Sequence, residues 1–598
     1  MNTLLQHKLT RLIVPVFAFS FFLSCQKDIS SEGNLGNNNQ ADLTTKVTSS
    51  VSGFVTDENN APVLGADVVA GTAHTTTDKY GYFELKNVMV VKNAATVVVT
   101  QPGYFKGIKT YIAEENKAAF FRIKLIPKTS AGTISATAGG NVTLSNGMIV
   151  ALPANGVVTA SNSVAYTGAI TVAAHWIDPT ASDLNETMPG DLRGIATDGS
   201  LKLLTTYGMA AVELTGSGGE LLQIADGKKA TLTMTIPASI MGTAPSSIPL
   251  WSFDETKGLW KQEGTATKTG NTYVGEVSHF SFWNCDIPNN YVHFDCTVQD
   301  QNGNPVNGAL VVIRVVGSYN TGSGLTNASG YVGGAVPDNA QLVLEIYTTY
   351  ACGAPAYTQN FSTTSTNISL GIITITSSAN IADVSGTATD CNNNPLTNGR
   401  IIVQEGYYYT AYNVSNTGAF NFSRLLCSNT SAVTIIAEDL SSSQQSSPLS
   451  MTLTPGSNAI GNLQACGVST QEFINYSISG LGTFSITSPS DSLNHTGNGT
   501  NLLSIITGST NSTPTGSYVT FGFDNSGIAV GSVQTLSSFY ASVLGTQTTI
   551  ASSAGVNITE YGAVGQFIAG NFTATLNNNN TPPTTSTVTC SFRVRRNF

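Results

Sequence analysis

Apolar and polar residues alternate along most of this chain with a period of two, in short runs. Val51-Ser52-Gly53-Phe54-Val55-Thr56-Asp57 is one such run; Glu58-Asn59-Asn60-Ala61-Pro62 then reads as a turn, and Val63-Leu64-Gly65-Ala66-Asp67-Val68 begins the next run. Successive side chains of a strand point to opposite faces, so this alternation predicts half-buried strands. Ala95-Thr96-Val97-Val98-Val99-Thr100 and Leu310-Val311-Val312-Ile313-Arg314-Val315-Val316 are denser in β-branched residues and predict further strands. Gly, Asn, Asp and Pro separate the runs to the end of the chain, and helical periodicity is nearly absent after the first 24 residues. The expected fold is all-β: a multidomain string of antiparallel β-sandwiches.

The strand–turn–strand pattern at 51–68 is followed by Thr77-Asp78-Lys79-Tyr80-Gly81-Tyr82-Phe83-Glu84-Leu85, which reads as a hairpin whose turn conformations come from Asp78 and Gly81. A strand from Val98 then runs into Gly103-Tyr104-Phe105. These elements in this order resemble the carboxypeptidase regulatory-like domain, which implies a transthyretin-like sandwich of about seven strands over residues 50–128. Thr297 to Ala309 with Thr326-Asn327-Ala328-Ser329-Gly330-Tyr331-Val332, and Val384 to Leu396 with Ser415-Asn416-Thr417-Gly418-Ala419-Phe420, repeat the two signatures. They predict further copies at 289–377 and 378–467, folding as separate units. Residues 129–288 hold all four tryptophans, Trp176, Trp251, Trp260 and Trp283, and resemble β-rich segments of cartilage intermediate layer protein. Residues 468–598 predict a last antiparallel β domain.

The amino terminus follows a different pattern. Lys8 and Arg11 precede an apolar stretch from Leu12 to Leu23 that is too short for a permanent bilayer span. Leu23-Ser24-Cys25 closes it and resembles the lipobox of bacterial lipoproteins, although Phe22 stands where Leu is usual; an ordinary signal peptide cut nearby is the alternative. The resemblance implies removal of residues 1–24, diacylation of the Cys25 sulfur and acylation of its new amine, with the membrane as a partner through Cys25. Two or three acyl chains anchor stably where one does not. Lys27-Asp28 partly resembles the export signal of surface lipoproteins in Bacteroidota. The expected address is the outer membrane with the chain exposed at the cell surface, and residues 25–49 read as lipid anchor and flexible tether.

Composition narrows the function. Charged residues make up 10% of the chain, against about 25% in ordinary soluble proteins. Removal of residues 1–24 leaves 24 basic and 36 acidic residues, a net charge of −12. With no basic patch, nucleic acid is not an expected partner. Beyond Cys25 there are seven cysteines and no Cys-x-x-Cys pair; Cys391, Cys427 and Cys466 fall in one segment and allow one local disulfide among them, and connectivity does not follow from spacing. The six histidines form no zinc-peptidase pattern, and neither a nucleophile elbow nor a phosphate-binding loop occurs. The expectation is a non-enzyme without metal or cofactor. The Asp/Asn-rich turns lack the order of a calcium loop, and Asx-turn chemistry accounts for them.

Two local features carry alternatives. His279-Phe280-Ser281 resembles the His-Phe-Ser site of autoproteolytic domains, which implies attack of the Ser281 hydroxyl on the preceding carbonyl with His279 assisting its deprotonation. The same residues also read as plain strand, with Phe280 and Phe282 on one face and His279, Ser281 and Trp283 on the other. Tyr407 and Tyr409 alternate with Tyr408 and would share a strand face as a platform for a glycan; Trp251 and Phe253 would share another, with core packing the commoner fate of such residues. His74 and His495 read as exposed, and His175 as a strand position. The leading expectation is a surface lipoprotein that binds, adheres or presents something outside the cell, to a protein or a glycan. The alternatives are a glycan-binding accessory of an uptake system and self-cleavage at Phe280–Ser281.

Overall fold

Strand β1 (Lys46–Thr56) alternates buried and half-buried residues and lies at the centre of a three-stranded sheet. It pairs antiparallel with β4 (Tyr82–Val91) and parallel with β7 (Ala118–Lys124). A second sheet, in the order β3 (Ala73–Thr76), β2 (Asp67–Ala70), β5 (Ala95–Thr100), β6 (Gly107–Tyr111), packs across it. Val51, Val55, Val68, Phe83, Val97, Val99 and Ile123 fill the space between the sheets. The computed structural model describes residues 41–598 except 319–320, 349–351, 376–379, 489–490, 499–502, 511–517, 544–545, 551–553, 563–566, 579–583 and 597–598. Cys25, the signal and most of the tether therefore lie outside the described residues. The first module starts earlier than its sequence boundary: Asp42 accepts hydrogen bonds from the backbone of Thr44 and Thr45, and β1 begins at Lys46.

The same seven-strand plan recurs twice, with two short strands, Gln444–Gln445 and Val468–Ser469, added to the second sheet of the third copy. In the second copy the strand Tyr291–Gln299 pairs antiparallel with Tyr331–Pro337 and parallel with Ile368–Thr374. In the third, Ile381–Thr389 pairs antiparallel with Ala419–Leu425 and parallel with Gly456–Gln464. The period-2 pattern reports half-burial without reporting strand direction, so the parallel first–last pair of each copy is a feature of the tertiary structure. So is the fate of the expected hairpin. β3 and β4 belong to different sheets, and the turn Asp78–Gly81 carries the chain over the edge between them.

Residues 129–288 form a branched thirteen-stranded sheet, and ten strands build the last domain around Tyr476, Phe521, Phe523, Phe572 and Phe592. Residues 41–598 pack as one body. The modules share cores where they meet and are not the separate units expected from the repeats. Phe105, Ile108 and Ile126 of the first module share a core with Trp251, Phe253 and Trp260 of the tryptophan-containing domain. Phe54 and Tyr80 of the first module share another with Ile402 and Ile436 of the third copy. Disulfide Cys391–Cys466 closes the third copy on itself, whereas Cys352–Cys427 ties the second copy to the third. Cys285, Cys296 and Cys590 are buried thiols.

Candidate functional site

Each of the three copies places a short polar side chain at the same two turns. After the first strand, an aspartate Oδ1 accepts two backbone N–H groups: Asp57 from Asn59 and Ala61, Asp300 from Asn302 and Asn304, Asp390 from Asn392 and Asn394, all between 2.7 and 2.9 Å. At the sheet-crossing turn Asp78 accepts from Tyr80 and Tyr82, Asn327 from Ser329 and Tyr331, and Ser415 from Thr417 and Ala419. These bonds are the Asx turns expected from the sequence. One oxygen of each turn residue is thereby engaged with backbone, and the turns need no cation to hold their shape.

The His279-Phe280-Ser281 segment bends just before the strand Phe282–Asn289. His279 Nε2 lies 2.8 Å from Glu263 Oε2, and its ring packs on Trp283 at 5.1 Å. Ser281 Oγ donates to the Phe282 carbonyl at 3.2 Å. The peptide is held from both sides by Gln223: its Nε2 donates to the Phe280 carbonyl at 2.8 Å, and its Oε1 accepts from Phe280 N–H at 2.9 Å. Hydrogen bonds from Lys261, His279 and Ser252 overcome the effect of burial and hold the Glu263 carboxyl below its ordinary value. His279 is thus paired with a carboxylate, and the Ser281 hydroxyl with a backbone carbonyl. The bend also breaks the expected alternation: Phe280 and Trp283 enter one core, Phe282 another.

The aromatic candidates separate in the same way. Tyr407 is 72% exposed beside the turn residue Gly406. Tyr409 lies in the strand Tyr408–Asn413, with its ring 5.3 Å from that of Tyr80 in the first module. Tyr408 lies under the Arg122 guanidinium at 4.9 Å. Of the two residues, Tyr409 packs against the first module and Tyr407 stays exposed. Trp251 and Phe253 do share a face, and it is a core face; Trp251 is fully buried and donates to the Asp286 carbonyl. His74 is exposed, as expected. His495 is not: it is 1% exposed, and burial, with Arg596 nearby, lowers its pKa to about 4.

Sequence reasoning missed where the charged residues go. Arg400, in the third copy, pairs with Asp78 of the first module and with Glu438 at 2.8 Å, and Lys79 pairs with Glu438 at 2.7 Å. Burial pulls the Lys79 ammonium below its ordinary value even beside that carboxylate. Arg400 keeps its charge, and its field, with that of Lys79, outweighs burial to lower the pKa of Glu438. Arg122 donates to the Tyr409 carbonyl at 2.8 Å and its guanidinium stacks over Phe54. At the other junction Lys109 of the first module donates to the carbonyls of Asn185 and Met188, and burial lowers its pKa to about 7. Lys124–Asp183 and Lys106–Glu255 close the rim of that contact. Nothing in a period-2 pattern marks these partners, since they lie about 40 to 360 residues apart.

Among the described residues, no helix is long and apolar enough to cross a membrane. The chain is 25% identical over 227 residues to cartilage intermediate layer protein 2 of Mus musculus, covering 36% of this chain and 19% of that protein. To the human protein of the same name it is 29% identical over 137 residues, 21% of this chain and 12% of that one. The chain thus spans about a fifth or less of the curated relatives it matches. Among solved structures, a streptococcal ancillary pilin aligns with 38% of this chain and 96% of its own at 11% identity and a TM-score of 0.13. BcpA, the major pilin subunit of Bacillus cereus, aligns with 71% of this chain and 100% of its own at 7% identity and a TM-score of 0.12. Scores this low carry no functional reading. The firm assignment is by segment: residues 50–125, the first of the three seven-strand copies, match the carboxypeptidase regulatory-like domain.

Proposed function

We propose that this chain is a non-enzymatic, lipid-anchored protein of the outer-membrane surface, whose β-sandwich modules form a rigid platform for binding, adhesion or presentation outside the cell. The observation that carries the reading is the use of scarce charge. In a chain that is 10% charged, Lys79, Lys109, Arg122 and Arg400 go to module junctions, where they fix the modules relative to one another. A scaffold needs that geometry. The anchor of this reading is Cys25, the sole lipid-bearing sulfur that the lipobox resemblance implies. Protease shaving of intact cells, with detergent-phase partitioning of wild type and Cys25→Ala, tests it. Wild type partitions with detergent and is degraded from outside. Cys25→Ala loses detergent partitioning; retention of lipid by that variant sinks the reading.

The glycan-binding alternative keeps one specific support, the exposed ring of Tyr407. A glycan array with Tyr407→Ala separates the two: loss of a glycan signal in that variant favours the uptake accessory, and no signal in either protein removes it.

A further inference from the structure

At the contact between the first and second regulatory-like copies, three side chains converge from two modules. Glu114 comes from the loop between β6 and β7, and His293 and Asp295 alternate along the strand Tyr291–Gln299, so they share its outer face. Their ligand atoms all lie within 4.8 Å of one another. His293 Nε2 is 3.2 Å from Glu114 Oε1 and 4.0 Å from Asp295 Oδ2. Neighbours orient both carboxylates: Tyr331 donates to Glu114 Oε1 at 2.7 Å, and Ser369 donates to Asp295 Oδ1 at 2.7 Å. Asn327 Nδ2 donates to the Ala118 carbonyl at 2.6 Å and holds the two modules together beside the cluster.

Hydrogen bonding alone leaves this arrangement incomplete. A neutral imidazole carries one N–H, so Nε2 can serve one carboxylate and not both. Asp295 Oδ2, 4.0 Å from Nε2, lies beyond hydrogen-bond distance. A cation between the three groups serves both carboxylates and Nε2 at once. Tetrahedral Zn2+ with bonds of about 2.0–2.2 Å sets its ligands roughly 3.3 Å apart, close to the His293–Glu114 spacing. An imidazole in the set favours a borderline transition metal over Ca2+ or Mg2+, which take oxygen ligands. The nearest competing cation is Lys117, 2.5 Å from Glu114 Oε2 and packed over the Tyr331 ring. It occupies the other oxygen and leaves Oε1 facing the cluster. We propose that Glu114, His293 and Asp295 form an intermodule site for a divalent transition metal of the Zn2+ class, with a fourth position open to water, that staples the first copy to the second.

The test titrates the full chain with ZnCl2 alone against a chromophoric chelator. The expected result is one site per chain with a Kd of about 10 μM or tighter, not displaced by millimolar Ca2+ or Mg2+. His293→Ala weakens binding at least tenfold. Glu114→Gln keeps the size of the side chain and weakens it several-fold, and it carries the test if His293→Ala fails to fold. Lys117→Met removes the competing charge and tightens binding, an effect with no counterpart in a purely structural cluster. His74→Ala, at an exposed histidine elsewhere, leaves binding unchanged. A Kd weaker than about 100 μM, or equal binding by wild type and Glu114→Gln, overturns the proposal.

Discussion

Gly81, Gly330 and Gly418 occupy the same turn position in the three copies, with φ of +71°, +74° and +74°. A Cβ on them would stand 2.2 Å from the Val55 carbonyl oxygen, 2.2 Å from that of Val298 and 2.4 Å from that of Ala388. Conformation and space both exclude a side chain, so each turn passes against the backbone of its first strand. Gly81→Ala is expected to destabilise by about 2 kcal/mol or more, read as a lower midpoint in urea. The same scale decides the fate of Phe280–Ser281. With His279 bonded to Glu263 and the Phe280 peptide clasped by Gln223, intact-mass analysis after prolonged incubation at neutral pH should give one uncut chain. Two fragments in wild type, absent from Ser281→Ala, would reverse that.

The disulfides act between elements. Both close loops with a sequence separation of 75 residues, yet Cys391–Cys466 joins the turn after the first strand of the third copy to the end of its last strand, while Cys352–Cys427 crosses to a neighbouring module. Loop-closure entropy for either is about 4 kcal/mol, and observed effects are commonly about 2–4 kcal/mol. Non-reducing peptide mapping should recover these two links. Cys285, Cys296 and Cys590 should resist maleimide until the chain is unfolded, because burial both hides them and raises their pKa, that of Cys296 to about 12. Cys391→Ser with Cys466→Ser should lower stability by about 2–4 kcal/mol; a change near zero would mean that the third copy is held by its neighbours and not by this bond.

At the scale of the molecule, the buried group Asp78–Arg400–Glu438–Lys79 joins modules that are not adjacent in sequence. Removing one partner leaves buried charge uncompensated, so Arg400→Ala should cost about 3–5 kcal/mol and should lower the stability of the first and third modules together. Hydrogen exchange in both modules checks this; loss of protection in the third module alone would show that the junction does not couple them. The pH dependence has a defined sign. The pKa of Glu438 is lowered in the folded chain, so its contribution is fully present above the unfolded value of about 4.3 and is lost as pH falls below it. Urea midpoints measured from pH 7 down to pH 3 should decline through that window, and the decline should be smaller in Glu438→Gln.

Strand positions, turn residues and the threefold repeat were legible in the sequence because each rests on neighbours a few residues apart. Period-2 burial marked β1 and β5, and Asp57, Asp300 and Asp390 form their turns with residues two and four positions on. The shared face of His293 and Asp295 was equally local, though it acquires meaning only when Glu114 arrives from another module. Tertiary structure decided the rest. It set the parallel pairing of first and last strands, the crossing of the Asp78–Gly81 turn between sheets, the burial of His495 and the covering of Tyr409 by Tyr80. Alternation reports that one face is buried and is silent on what buries it. In this chain what buries it is often another module, and the joining of Arg400 to Asp78, 322 residues away, is a choice made by packing that no local pattern encodes.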